Sequence, residues 1–321
     1  MTPPQAMLRL LALCLGMVFL AACGGREASV VKPASTAAMA LRHSRGELDD
    51  PRIREASGLA ASRLHRGVLW LHNDSGDTTR VFAINTQARL LGTYYLSDAR
   101  ARDWEDIAIG PGPDPDLDYL YVGDIGDNQM RRKYIVVYRV PEPDVRPHQE
   151  AVEASLDGVE TLAFAFPDGP HNSETLMVDP ATGDIYIVTK ALGRQSVYRA
   201  AYPQRRDTLT VLEKVTELRL QGSGALTQLA VGGDISPSGR WTLIKSYDVV
   251  YQWDNGTAPW YRSDPIALPY VPEPQGEAIA WAADESGYFT ISEEAGGVPA
   301  VLYYYALSPR EGTFRSTRLR D

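Results

Sequence analysis

Glu105-Asp106-Ile107-Ala108-Ile109-Gly110 is the stretch whose reading decides the fold. An acidic start runs into an apolar strand, and variants begin at Glu55 (EASGLA), Glu174 (ETLMVD), Asp234 (DISPSG) and Glu277 (EAIAWA). Each is followed by a turn rich in Gly, Pro or Asp and then by a second apolar, aromatic strand: 68–72, 119–123, 184–190, 241–246 and 288–294. A third strand follows each of these. One supersecondary unit returning at intervals of roughly 40–70 residues is the signature of a β-propeller blade. The expectation is therefore an all-β fold, a β-propeller of four-stranded antiparallel blades. Five blades are expected, with a sixth, hidden in 211–234, as the alternative.

Outer strands are expected at 89–97, 158–167, 208–220 and 265–272, and the insertion 141–156 as an exposed loop. The fifth unit shows no clear outer strand of its own before 311–320. Leu41–Leu48 is the candidate clasp that would complete it and remove an open edge. No second domain is visible, so 41–321 reads as a single propeller.

Ahead of it, Met1–Ala22 carries one basic residue, Arg9, and an apolar run, Leu10–Leu20, too short to cross a bilayer. This reads as a signal peptide. Residues 23–40, rich in Ala, Ser and Thr, read as a flexible tether. The net charge of −9 argues against a nucleic-acid partner, which needs a basic surface.

Blade geometry says where chemistry should gather. The first strand lies innermost and the second runs back beside it, so first-strand starts and second-strand ends share one mouth of the ring. The starts supply Glu55, Glu105, Asp106, Glu174, Asp234 and Glu277. The ends supply His72, Asn73, Asp74, Asp77, Asp124, Asp127, Asn128, Lys190, Lys245, Glu293 and Glu294. Crowded carboxylates suit Ca²⁺, which takes six to eight oxygen ligands. The loops Asp74-Ser75-Gly76-Asp77 and Asp124-Ile125-Gly126-Asp127 share a D-x-G-D shape, with Gly making the bend.

The bland alternative gives the strand-start acids a structural task, accepting main-chain N–H bonds from the next blade. Lys190 and Lys245, with Asn73 and His72, are the candidates for a small anionic ligand. Trp104, Trp241 and Trp281 are expected in blade packing, and Trp253 and Trp260 as the most exposed tryptophans. His171 is placed near the mouth. No spacing suited to zinc, nucleotide or serine-hydrolase chemistry occurs.

Two resemblances add to this. Leu20-Ala21-Ala22-Cys23-Gly24 resembles the bacterial lipoprotein lipobox. It implies cleavage before Cys23, lipidation of that cysteine, and a membrane anchor on the periplasmic face of the outer membrane. With Cys14 removed in the signal, no thiol would then remain for a disulfide. The unit running from Glu277 through Asp284 and Gly287 to Ile291-Ser292-Glu293-Glu294 resembles bacterial phytase-like, calcium-binding propellers. That resemblance implies calcium at the acidic mouth, with Glu277, Glu293 and Glu294 on its side. In enzymatic members it implies phosphomonoester hydrolysis by metal-activated water. The paired-Asp segment of the active phytases has no counterpart here. The expected function is accordingly a cell-envelope lipoprotein propeller that binds a ligand or envelope protein, with a metal-dependent phosphoesterase as the alternative.

Overall fold

The computed structural model describes residues 36–307, apart from 221–223, 257 and 296. The signal segment 1–22, Cys23, most of the tether and 311–320 lie outside the described residues. Thr36–Leu41, whose first five residues had been assigned to the tether, form a short helix that leads into the first strand.

Five sheets make the five blades, and no sixth sheet occurs among the described residues. Blade 1 runs Ala56–Ala61, Val68–Asn73, Arg80–Asn85, Leu90–Leu96. Blade 2 runs Trp104–Pro111, Asp118–Asp124, Ile135–Pro141, Glu160–Ala165. Blade 3 runs Ser173–Val178, Ile185–Thr189, Gln195–Ala200, Glu213–Leu218. Blade 4 runs Gly232–Ile235, Trp241–Lys245, Val250–Asp254, Ile266–Leu268. Blade 5 runs Gly276–Trp281, Gly287–Ser292, Val301–Ala306 and is completed by Arg42–Glu47 from the chain's other end. Arg42 pairs with Tyr305 and Glu47 with Val301, so the expected clasp closes the ring.

Each blade is sandwiched between two others, which explains why the second strands read as continuous apolar runs rather than alternating ones. Val68–Asn73, Ile185–Thr189 and Gly287–Ser292 are buried along their whole length. Five apolar clusters fill the five seams between neighbouring blades. The innermost strands touch in ring order, blade 1 to 2, 3, 4, 5 and back to 1.

Three expectations need correction. Blades 1 and 2 have five strands, not four: Val152–Leu156 and Thr210–Val211 each add in parallel at an outer edge. The insertion 141–156 is therefore no free loop. Its Glu142 is buried and accepts the Trp70 indole N–H at 2.9 Å, while Ala154 and Leu156 pack on the seam between blades 1 and 2. Trp253 and Trp260 are buried, not exposed, each at 2 %. A short 3₁₀ turn, Trp260–Arg262, folds back so that the two rings meet edge to face at 5.6 Å beside Tyr186 of blade 3. The Asp254-Asn255-Gly256 turn marked the chain reversal without revealing which side its flanking rings would cover.

Candidate functional site

The first strands of four blades share one irregularity. The pairing register slips by one residue at their start, leaving Ser57, Glu105, Glu174 and Glu277 as extra, bulged residues. A bulge unpairs one residue and re-aims its side chain. Here it gathers glutamates from blades 2, 3 and 5 at one mouth of the ring. In blade 4 the ladder pairs Gly232 with Lys245 and Gly233 with Ile244, and the Val231 N–H also donates to the Lys245 carbonyl at 2.9 Å, so the residue ahead of this ladder is apolar rather than acidic. A Cβ at Gly232 would strike the Glu277 carbonyl oxygen, and one at Gly233 the Thr175 side chain, so the neighbours leave room only for glycine.

The resulting mouth draws on every blade. Asp74 comes from blade 1, Asp103 and Glu105 from the entry to blade 2, and Glu174 and Lys190 from blade 3. Tyr247 comes from blade 4, and Glu277 and Glu293 from blade 5. Oxygens of Asp74, Asp103 and Glu105 lie within 4.8 Å of one another. Glu105 is only 3 % exposed. Its carboxylate takes part in no hydrogen bond or ion pair among the described residues. Across the ring, Lys190 Nζ lies 2.5 Å from Glu174 Oε2 and 3.5 Å from Glu277 Oε1, and it donates to Tyr247 Oη at 2.9 Å. The Tyr247 hydroxyl donates in turn to Glu277.

Electrostatics follow from this crowding. Burial, with the carboxylates of Glu174, Asp74 and Asp103 adding, holds the Glu105 carboxyl well above its usual range. Burial pushes Asp74 up to about 6 and Glu293 up to about 8, with Glu277 the first charge to add to each. Glu174 is pushed up to about 8 by burial, against the pull of Lys190. Burial alone would lower Lys190, but the carboxylates of Glu174 and Glu277 outweigh it, so this ammonium stays charged.

The other expected residues fall elsewhere. Glu55 is exposed and sits two residues ahead of the bulge, where Ser57 takes the place of the glutamate and donates to the Glu105 carbonyl at 2.8 Å. Asp234 pairs opposite Leu243 in its own blade and accepts the main-chain N–H of Trp281 in blade 5 at 2.8 Å. Asp106 likewise accepts the N–H groups of Ile107 and of Leu176 in the next blade, both at 2.9 Å. These two carboxylates perform the structural task of tying neighbouring inner strands.

Of the D-x-G-D loops, only Asp74 joins the cluster. Asp77 is held by Arg80 and Asn73. Asp124 pairs with buried Arg132 at 2.6 Å, and Asp127 accepts the Arg132 N–H. Asn128 and Glu294 are exposed. Gly126 has a different importance: a Cβ there would collide with the carboxylate oxygens of both Glu105 and Asp103.

His72 is fully buried against Trp104, and burial lowers it to about 4, so it is neutral. Lys245 is fully enclosed, donates to the Gly276 carbonyl, and is lowered by burial to about 8. His171 lies apart with Asp168 and Tyr198.

Sequence reading missed Asp103 and Tyr247. Asp103 stands two residues before the bulge in Arg102-Asp103-Trp104-Glu105, and the apolar alternation had drawn attention to the strand rather than its approach.

The fold and the mouth together define an acid-mouthed, five-bladed propeller. No family model and no curated protein matches the chain.

Proposed function

We propose that this chain is a binding module of the cell envelope whose acidic mouth holds Ca²⁺ through Asp74, Asp103 and Glu105. The observation that carries the reading is Glu105. A buried carboxylate without a hydrogen bond or a cation, set against two others, is a costly arrangement that a divalent ion relieves. The donor set fits: three oxygen ligands and neither sulfur nor imidazole select a hard cation. Gly126 keeps the space over Glu105 and Asp103 clear. Calcium bound there would offset the negative charge and offer open coordination positions to oxygen groups of a ligand.

The chain's own groups frame that position. The Lys190–Tyr247 pair engages Glu174 and Glu277, so those two glutamates are already committed. A phosphoesterase built as expected would need Lys190 and Lys245 free to hold an anion. Lys190 is engaged by two glutamates and Lys245 is enclosed. The geometry therefore favours binding over hydrolysis. The resemblance of 277–294 to phytase-like calcium propellers and the lipobox-like Leu20–Gly24 support the same assignment, with Cys23 as the lipidated residue and the outer membrane as the location.

The test is thermal melting of the mature chain in EDTA and in Ca²⁺. At about 100 times the dissociation constant, binding to the native state alone adds ~2.7 kcal/mol. An unchanged melt, with no calorimetric binding signal, overturns the metal assignment. Loss of palmitate labelling in Cys23→Ser cells checks the anchor separately.

A further inference from the structure

At the end of the ring opposite the acidic mouth, the seam between blades 5 and 1 opens into a cleft of about 210 Å³. Its walls are the turns joining first and second strands in both blades, together with the clasp strand. Three features set it apart from an incidental surface groove.

The first is Arg45. The clasp pairs Ser44 with Tyr303 and Gly46 with Leu302, leaving Arg45 as the extra residue of a bulge. That bulge turns the guanidinium over the Tyr304 ring, 4.7 Å from its centroid. The second is Arg66, at the blade 1 turn on the facing wall. Neither guanidinium donates a side-chain hydrogen bond or forms a salt bridge among the described residues. Burial alone would raise the Asp284 carboxyl, but hydrogen bonds from Ser286 lower it, and the Arg66 charge only adds to them at longer range. The third is the floor, where Phe289 and Tyr304 lie ring to ring at 5.0 Å. One carboxylate, Asp284, shares the cleft, but it is turned into its own loop and accepts from Ser286 N at 3.1 Å. The Ser286 hydroxyl stands 2.8 Å from Tyr304 Oη, which fixes that ring.

We propose that this cleft binds a small oxyanion, a phosphate or a carboxylate, between Arg45 and Arg66, with any planar portion lying on Tyr304 and Phe289. Guanidinium forks match such groups, and their free donors are the feature an oxyanion satisfies. The volume suits a ligand about the size of a single ring rather than a nucleotide. Arg45 belongs to the strand that closes the ring and Arg66 to the first complete blade. An anion held by both therefore ties the closure seam and stabilises the folded ring by mass action. The assignment is independent of the calcium reading.

The test uses inorganic phosphate and benzoate as probes on the mature chain in EDTA, with potassium chloride held at a constant 150 mM. Saturable binding by calorimetry and a rise in melting temperature are expected for at least one probe. A response to phosphate alone shows a site read by charge. Tighter benzoate binding shows that the aromatic floor contributes. The exposed-side-chain variant R45A/R66A should melt as wild type without probe and bind roughly tenfold more weakly or worse. If that variant does not fold, Arg66→Gln alone takes its place with the same expectation. No saturable binding by either probe, or wild-type affinity in the variant, overturns the proposal.

Discussion

Replacing Glu105 with Gln should make the metal-free protein more stable while removing its response to calcium. The side chain is 3 % exposed, without hydrogen bonds or ion pairs among the described residues, and lies within 4.8 Å of the oxygens of Asp74 and Asp103. At that separation and an effective dielectric near 20, each like-charge pair costs roughly 3.5 kcal/mol. Partial protonation in the folded state relieves part of it, so about 2–3 kcal/mol should be recovered on neutralisation at pH 8. For a domain of this size that is a rise in melting temperature of about 4–8 °C. Gln keeps the volume and adds two N–H donors that the neighbouring carboxylates accept.

The sign has a pH signature. The folded Glu105 carboxyl is held above its unfolded value, so wild type loses stability as pH rises through the folded value. The amide resembles the protonated acid, so variant and wild type should converge near pH 5 and separate toward pH 8.5. Scanning calorimetry in EDTA and in excess Ca²⁺ measures all of this. A variant less stable than wild type in EDTA, or one with the wild-type calcium shift, would refute the claim that Glu105 is a strained metal ligand.

Two further outcomes follow from the same region. Asp106→Ala leaves the main-chain N–H groups of Ile107 and Leu176 without the acceptor they meet at 2.9 Å, so it should cost about 2–4 kcal/mol and lower the melt by roughly 5–10 °C; a melt within about 1 °C of wild type would show that the carboxylate does not tie blades 2 and 3. Calcium-free wild type should lose stability as pH rises from about 5 to 8.5, because the folded carboxyls of Asp74 and Glu293, pushed up to about 6 and about 8, bind more protons than the unfolded chain does; saturating Ca²⁺ should flatten that slope, and an equally steep slope with the metal present would separate the ion from these carboxylates.

The fold was legible in the sequence because its period is long and its seams are apolar. The second strands, buried on both faces, could belong only to stacked sheets, and Leu41–Leu48 had the length to fill an edge that blade 5 lacked. The mouth was legible only in part, because strand starts repeat in kind but not in register. Glu55 and Asp234 look like Glu105 by eye, yet Glu55 lies two residues ahead of the bulged Ser57 of its blade, and Asp234 is a regularly paired residue opposite Leu243. The bulges that decide which acid reaches the axis leave no mark in composition. The parallel additions to blades 1 and 2 were hidden for a related reason: Val152–Leu156 is an edge strand exposed at several positions, with the polar pattern of a loop.

What the slip does to charge explains why the mouth is divided. Bulges in blades 2, 3 and 5 bring three glutamates to a ring that would repel itself if all were left alike. Blade 4, held to Gly232 and Gly233 by the crowding of its neighbours, contributes Tyr247 from the loop after its second strand instead. Tyr247 and Lys190 engage Glu174 and Glu277. Glu105 is the bulged acid that no internal cation reaches. Two of the three bulged acids are thus engaged by the chain's own groups, and Glu105 is left beside Asp74 and Asp103 with no hydrogen bond or ion pair of its own among the described residues. An acid from blade 4 at this mouth would set a third carboxylate against Lys190, so the Tyr247 hydroxyl that stands there instead keeps this cation shared between two.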